Sequence, residues 1–309
     1  MKNLLLFLIL VPALLQAQTT RFILQNGDTV LATKYQVQRT ASYTYNDQLV
    51  KYDTLKKSTG TVTPPATGTA LFNITWEQSN ALTPKSGYGY QPNSIENPVT
   101  TGGMKSVIVT DPAGGLNKVV KIGVNTGNKD GSRIRHEMTA WNLTEKLRQK
   151  ANYSVWIYVP ATFKTGQDVM NFLQWHDVSP STDKQGRIPN LSIGFKGKML
   201  DINIAWQRDP AQVRHEAGDI HQPIDASSWF GRWVFVEIDC YWSPDAAGYF
   251  NFYVDKKLLY TYSGPMGYNG DVQGPYFKWG LQYPGGVLPA GSTATSQTLY
   301  FGDIIIKNY

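Results

Sequence analysis

The chain predicts an all-β protein: a two-sheet antiparallel β-sandwich of jelly-roll type with a concave substrate groove. Two observations carry this expectation. Trp, Tyr and Gly are plentiful, at 9, 18 and 28 of 309 residues, and long amphipathic runs are scarce; aromatic and β-branched residues suit a pleated, half-buried surface. From residue 70 onward, short runs are interrupted at regular intervals by Gly, Pro, Asn and Asp, the punctuation of many antiparallel strands.

The elements follow in chain order. Lys2 supplies a positive start, Leu4 to Leu15 is almost wholly apolar, and Gln16-Ala17-Gln18 offers a small-residue cleavage point. A run of that length is short for a bilayer span, so residues 1–18 are expected to be a signal peptide and the mature chain to be secreted, periplasmic or extracellular. No cysteine stands near the cleavage point, which argues against a lipid anchor, and no later run is apolar enough to span a membrane. Residues 19–69 read as an N-terminal extension. It carries alternating stretches such as Thr29-Val-Leu-Ala-Thr33 and Tyr35-Gln-Val-Gln38, and ends in a Thr/Pro/Gly linker over 59–69 with nothing to bury.

Residues 70–309 then form the jelly-roll domain. Strands are expected over 70–76, 105–110, 118–124, 132–138, 152–159, 169–176, 190–196, 199–206, 233–241, 248–254, 257–262, 275–282 and 298–307. The one helix-compatible stretch is Thr144-Glu-Lys-Leu-Arg-Gln-Lys150. Cys240 is the only cysteine, so stability must come from the core, and its place within Val234–Trp242 reads as a small buried hydrophobe rather than a nucleophile. The formal net charge of +6 suits an acidic partner. Dense Lys/Arg runs are missing, and an exported protein meets acidic glycans rather than nucleic acid.

Three distant segments place polar groups on alternate residues. They are Arg133-Ile-Arg135-His-Glu137, Gln174-Trp-His176 and Tyr276-Phe-Lys278-Trp-Gly-Leu-Gln282. Side chains two apart on a strand share a face. Arg135 and Glu137, Gln174 and His176, and Tyr276, Lys278 and Gln282 therefore face one groove, with Ile134, Trp175, Phe277, Trp279 and Leu281 packed behind it. His136 points away from the groove on the same alternation.

These groups match the tasks of β-elimination on a uronate polymer. The hydrogen at C5 is barely acidic while the adjacent carboxylate keeps its full charge, so cations or hydrogen-bond donors must neutralise that carboxylate. A base then takes the C5 proton, and an acid protonates the departing O4. Arg135 can grip a carboxylate through a planar fork, and Gln174 can add an amide N–H. His176 can serve as base or as a further donor. Tyr276 can donate to O4, and a nearby cation such as Lys278 would favour its phenolate. Glu137 is expected to pair with Arg133 or Arg135 and hold the fork in place.

The three segments also resemble, in order and spacing, the signature strands of the jelly-roll polysaccharide lyases, a superfamily that includes the alginate lyase 2 group, glucuronan lyases and heparin lyase I-like proteins. The alginate group shows Arg-x-Glu-x-Arg, Gln-(Ile/Val)-His and Tyr-Phe-Lys-x-Gly; this chain has Arg135-His-Glu137, Gln174-Trp-His176 and Tyr276-Phe-Lys278-Trp-Gly280. The resemblance runs over about residues 70–309, with Gly231-Arg-Trp-Val-Phe-Val-Glu237 similar to a late core strand. It implies Arg135, Gln174 and His176 at the substrate carboxylate and Tyr276 as catalytic acid and potentially base. Thr139 stands where the alginate pattern has its second Arg, with Arg133 one step the other way, and Trp175 replaces the aliphatic residue between Gln and His. These departures weigh against the alginate group more than against the superfamily.

Other features are secondary. The segment Trp206–His221 concentrates Arg and His and reads as a connecting loop, with Arg208 as a candidate contact for carboxylate or sulfate. His215 and His221 are too loosely spaced for zinc, and no metal site is expected. The chemistry requires no cofactor; scattered acidic oxygens leave room for a structural calcium. The expected partner is an acidic polysaccharide, with no nucleic acid, no membrane span and a monomeric chain. Two rival functions have distinct signatures. A glycoside hydrolase needs two carboxylates flanking the bond, and Glu237-Ile-Asp239 begins a β-glucanase-like strand whose third carboxylate is missing. A non-catalytic sugar-binding sandwich would hold polymer in the same groove without shortening it.

Overall fold

A computed structural model describes residues 19–23, 29–33, 69–74, 76, 102–116, 118–144, 147–177, 188–207, 219–268, 271, 274–289 and 296–308. The expected signal peptide and most of the expected linker lie outside them, as does Arg208. The chain divides into two units, Met1–Thr67 and Gly68–Tyr309. In the first, β1 (Thr19–Ile23) pairs antiparallel with β2 (Thr29–Thr33), Thr19 opposite Thr33.

The second unit is built from β3 (Thr69–Ile74), β4 (Val107–Thr110), β5 (Lys118–Asn125), β6 (Lys129–Asp130), β7 (Arg133–Thr144), β8 (Lys150–Val159), β9 (Met170–His176), β10 (Leu191–Lys196) and β11 (Met199–Gln207). It continues with β12 (Asp219–Asp225), β13 (Arg232–Tyr241), β14 (Tyr249–Val254), β15 (Lys257–Ser263), β16 (Gly267–Tyr268), β17 (Tyr276–Tyr283) and β18 (Ser296–Asn308). Two eight-stranded sheets result. One runs β12-β11-β10-β9-β17-β7-β6, with β16 added parallel to β11; the other runs β15-β14-β13-β8-β18-β5-β4, with β3 on β18. The remaining named pairings in both are antiparallel, and the sheets pack as a jelly-roll sandwich, as the composition and turn spacing predict.

Alternation builds the core. Phe277, Trp279, Leu281, Trp175, Ile193 and Ile202 from the first sheet meet Tyr153, Val155, Val236, Ile238, Phe252 and Phe301 from the second in one buried cluster. Tyr153 stands at the seam, its ring 5.1 Å from Trp175 and 5.5 Å from Phe277, and its hydroxyl accepts from Trp242 Nε1 at 3.0 Å. Edge and tilted aromatic contacts of this kind are each worth about 0.5–1.5 kcal/mol beyond their buried area. Cys240 belongs to the same buried cluster, its thiol donating to the Ala151 carbonyl at 3.6 Å.

Two segments differ from the sequence reading. The helix-compatible stretch at 144–150 is not helical in its described part. β7 runs on to Thr144, which pairs with Tyr276, and Arg148 takes a positive φ of 58° in the turn before β8. Strand pairing overrides local helix propensity there. The segment expected to be a loop before His221 ends in β12, an edge strand that pairs with β11 and carries Pro223 opposite Asp201. Proline is tolerated on such an edge because its missing N–H need not enter the ladder.

His136 faces inward, as alternation requires, and is fully buried. Its Nε2 accepts from the Ser106 amide at 2.9 Å and lies 2.7 Å from the Ser106 hydroxyl. Burial holds the imidazole down to about 4, below its usual 6.5. The unfolded chain therefore binds a proton that the native state refuses between those two values, so native stability is complete above about pH 6.5 and is lost as pH falls toward 4. Urea unfolding should show a loss of about 2 kcal/mol from this group between pH 7 and pH 5. His136→Gln, which keeps an acceptor for Ser106, should remove most of that dependence; an unchanged slope would contradict the assignment.

Candidate active site

Three central strands of the first sheet, β7, β17 and β9, lie side by side and carry all three sequence segments. Register decides what meets. Tyr276 stands opposite His176, and Lys278 stands opposite Gln174 on one side and Thr139 on the other. Farther along β17, Gly280 opposes Glu137 and Gln282 opposes Arg135. Phe277, Trp279 and Leu281 alternate into the core, which turns Tyr276, Lys278, Gly280 and Gln282 to the outer face of the sheet.

Tyr276 and His176 face each other across β17 and β9. Their rings stack at 5.9 Å between centroids with 26° between planes, and Lys278 Nζ sits 5.3 Å from the Tyr276 ring centroid. Tyr276 and Lys278 are each 3% exposed, whereas the His176 side chain is 22% exposed. The imidazole edge is thus the most open part of the cluster. His176 Nδ1 lies 3.1 Å from the Asp177 carbonyl oxygen and 3.3 Å from Asp177 Oδ1. Both neighbours are acceptors, so Nδ1 carries the hydrogen and Nε2 keeps its lone pair for chemistry.

Gln174 is held by a carboxylate from two strands away. Its Nε2 donates to Glu137 Oε1 across β17, at the level where β17 has Gly280. A Cβ on Gly280 would collide with the His136 carbonyl and lie 2.7 Å from the Glu137 Cα, and the residue sits at φ +149°. A glycine here lets β7 approach closely. Glu137 thus has a partner in Gln174 that its place in the sequence did not suggest. The carboxylate that grips Arg135 is Asp130, whose Oδ2 accepts from Arg135 Nε at 2.7 Å. The reason is local: β6 and β7 pair Asp130 with Arg133, and Arg135 follows on the same face. No single position could have revealed Asp130 from sequence; the short β6 strand was not anticipated.

Arg135 stands farther along the sheet from Tyr276 and His176. It opposes Gln282, six residues along β17 from Tyr276, roughly 20 Å of extended strand. Gln282 accepts weakly from Asn171 Nδ2 at 3.4 Å. Arg135, Gln282 and Asn171 form a second polar station, and Arg133 lies exposed at the start of β7. The structure gathers Tyr276, His176, Lys278, Gln174 and Glu137 on this face, with Arg135 two residues before Glu137 and opposite Gln282 rather than Tyr276. Among the described residues no group of three or more His, Cys, Asp or Glu is placed to hold a metal ion, and no helix is long and apolar enough to cross a membrane.

A sequence description of the polysaccharide lyases, named simply "Polysaccharide lyase", matches residues 75–304. The chain belongs to this family. No curated protein matches it. Among solved structures, an endo-β-1,4-glucuronan lyase from the fungus Trichoderma reesei is similar at 14% identity over 77% of this chain and 95% of that one, with a TM-score of 0.59. An alginate lyase from a Chlorella virus shows 17% identity over 66% of this chain and 89% of that one, with a TM-score of 0.45.

As a polysaccharide lyase the protein has no use for the paired carboxylates of a hydrolase, and their best candidates lie elsewhere. Glu237 and Asp239 alternate with the core residues Val236, Ile238 and Cys240 on β13 of the opposite sheet. They face outward there, and Glu237 is paired with Lys256 at 2.7 Å. The tautomer argument is directly testable. Nitrogen-15 NMR of the neutral enzyme should show His176 as the Nδ1–H form; an Nε2–H signature would contradict the role assigned to Asp177.

Proposed function

We propose that this lyase cleaves a uronic-acid-containing polysaccharide by β-elimination, with His176 as base and Tyr276 as acid. The pairing of these two rings across β9 and β17 is the observation that carries the reading. His176 Nε2 takes the proton from C5. The electron pair released forms the C4–C5 double bond as the C4–O4 bond breaks, and Tyr276 Oη protonates the departing O4. Proton return from His176 to Tyr276 closes the cycle.

Neutralising the substrate carboxylate falls to Lys278 and Gln174 in this scheme. Lys278 supplies the charge beside the reacting unit, and Gln174, oriented by Glu137, supplies an N–H. Arg135, steadied by Asp130, is better placed to bind a carboxylate of a unit farther along the polymer, with Gln282 beside it and Arg133 at the rim. Arg208 keeps its proposed role as a contact for carboxylate or sulfate. The scheme requires no cofactor, and any bound calcium would act on stability alone. The apolar run from Leu4 to Leu15 supports secretion, and the net charge of +6 supports attraction to an acidic polymer. We propose that the protein works as a monomer.

The test is an absorbance screen against alginate, polyglucuronate, ulvan, heparin-like and chondroitin-type polymers. Elimination leaves an unsaturated sugar that absorbs in the far ultraviolet. Tyr276→Phe and His176→Ala should each cut turnover by about 10²–10⁴-fold, the usual worth of acid–base catalysis, while circular dichroism shows both folded. Near-normal turnover in both variants would refute the assignment.

A further inference from the structure

We propose that Ser192 and Asn203 build an additional sugar subsite beside the catalytic pair, one that holds a ring through its hydroxyl groups rather than its carboxylate. The proposal rests on the lyase reading above and deepens it by describing what the neighbouring part of the polymer must be.

Register carries the argument. Lys278 opposes Gln174, Gln174 opposes Ser192, and Ser192 opposes Asn203. Four polar side chains thus stand in a line that crosses β17, β9, β10 and β11. Their sequence neighbours Leu191, Ile193, Ile202 and Ile204 all belong to the core, so the line lies on the same outer face as Tyr276 and His176. Neighbouring strands are about 4.8 Å apart, which puts Asn203 roughly 10 Å from Gln174 along the row. That is too far to touch a sugar held at Gln174 and suits the next units of a chain laid across the strands.

The chemistry changes along this line. It begins with a cation and an amide at Lys278 and Gln174, and ends with a hydroxyl and an amide at Ser192 and Asn203. Ser and Asn side chains both donate and accept hydrogen bonds, as sugar hydroxyls do, whereas a carboxylate only accepts and has its natural partner in Lys278. Asp201, two residues from Asn203 on the same face of β11, adds acceptor oxygens that suit hydroxyl donors. All three are low on the face, Ser192 at 6%, Asn203 at 8% and Asp201 at 9% exposed, so a ring resting there would meet them as a floor. Units of the polymer are therefore bound on the β10–β11 side of the break, and the unit over Ser192 and Asn203 need not be a uronate.

Oligosaccharides of increasing length, prepared from the polymer cleaved fastest or from polyglucuronate if none is cleaved, test this. For Ser192→Ala, Asn203→Ala and the double variant, the loss in kcat/KM should grow with oligomer length. It should reach about tenfold for the double variant on long chains, the worth of one to two hydrogen bonds, and should fall on KM rather than kcat. An equal loss at every length, or none at any, overturns the subsite. Retention in a gel containing the same polymer reads binding apart from cleavage, in a Tyr276→Phe background. Weaker retention of the triple variant supports the subsite, and equal retention overturns it. A retention difference in a protein that never cleaves would refute the catalytic pair and leave the subsite standing. Cleavage with no length or retention effect would do the reverse.

Discussion

Polar side chains can line one face of β9 and β17 only because the residues between them are committed to the opposite face. Trp175 and Phe277 pack against Tyr153, Trp279 stacks on Phe277, and Trp242 meets both Trp175 and Tyr153. Each aromatic is worth about 1.5–3 kcal/mol when removed from water. A slip of one residue in the pairing would expose all three and drive Gln174, Tyr276 and Lys278 inward, where an unpaired ammonium is far more costly than a lost apolar contact. The register that opposes Tyr276 to His176 is therefore enforced from the core side. The face these groups share is a by-product of hydrophobic alternation, and contacts such as Glu137 on Gln174 and Asp177 beside His176 refine it.

Within that frame the outer face is divided by charge. Lys278 and Gln174 sit beside the reacting pair, and Glu137 reaches Gln174 across Gly280. Arg135 forms a second station with Asp130, Gln282 and Asn171, while Ser192 and Asn203 extend the row through uncharged groups. In the proposed scheme one polymer unit meets ammonium and amide, and its neighbours meet different partners. Irregular pairing contributes: β9 shifts register against both β10 and β17 near Leu173, which brings Asn171 back to the outer face after two consecutive core residues, Phe172 and Leu173. Bulges near functional faces commonly re-aim side chains in this way.

Much of this was legible beforehand because it depends on period two. The strands, the inward turn of His136, and the shared face of Gln174, His176, Tyr276 and Lys278 follow from alternation alone. What sequence could not supply was register, which depends on pairing between segments about a hundred residues apart. Arg135 and Tyr276 share a face, yet pairing sets them six residues apart along β17. Nearness in sequence points Glu137 toward an arginine, whereas its bond to Gln174 spans two strands and depends on pairing. Asp130 and β12 were missed for a related reason: a two-residue strand and a Pro-containing edge strand have too little pattern of their own, and both exist through pairing with a longer neighbour.

Tyr276 and His176 are proposed to act as one unit, and a double-mutant cycle in kcat/KM measures that directly. If the two rings pass a single proton route between them, Tyr276→Phe with His176→Ala should be scarcely worse than the more damaging single change, since removing either already breaks the relay. If the two losses simply multiply, the residues act independently, and the cross-strand pair is not the catalytic centre.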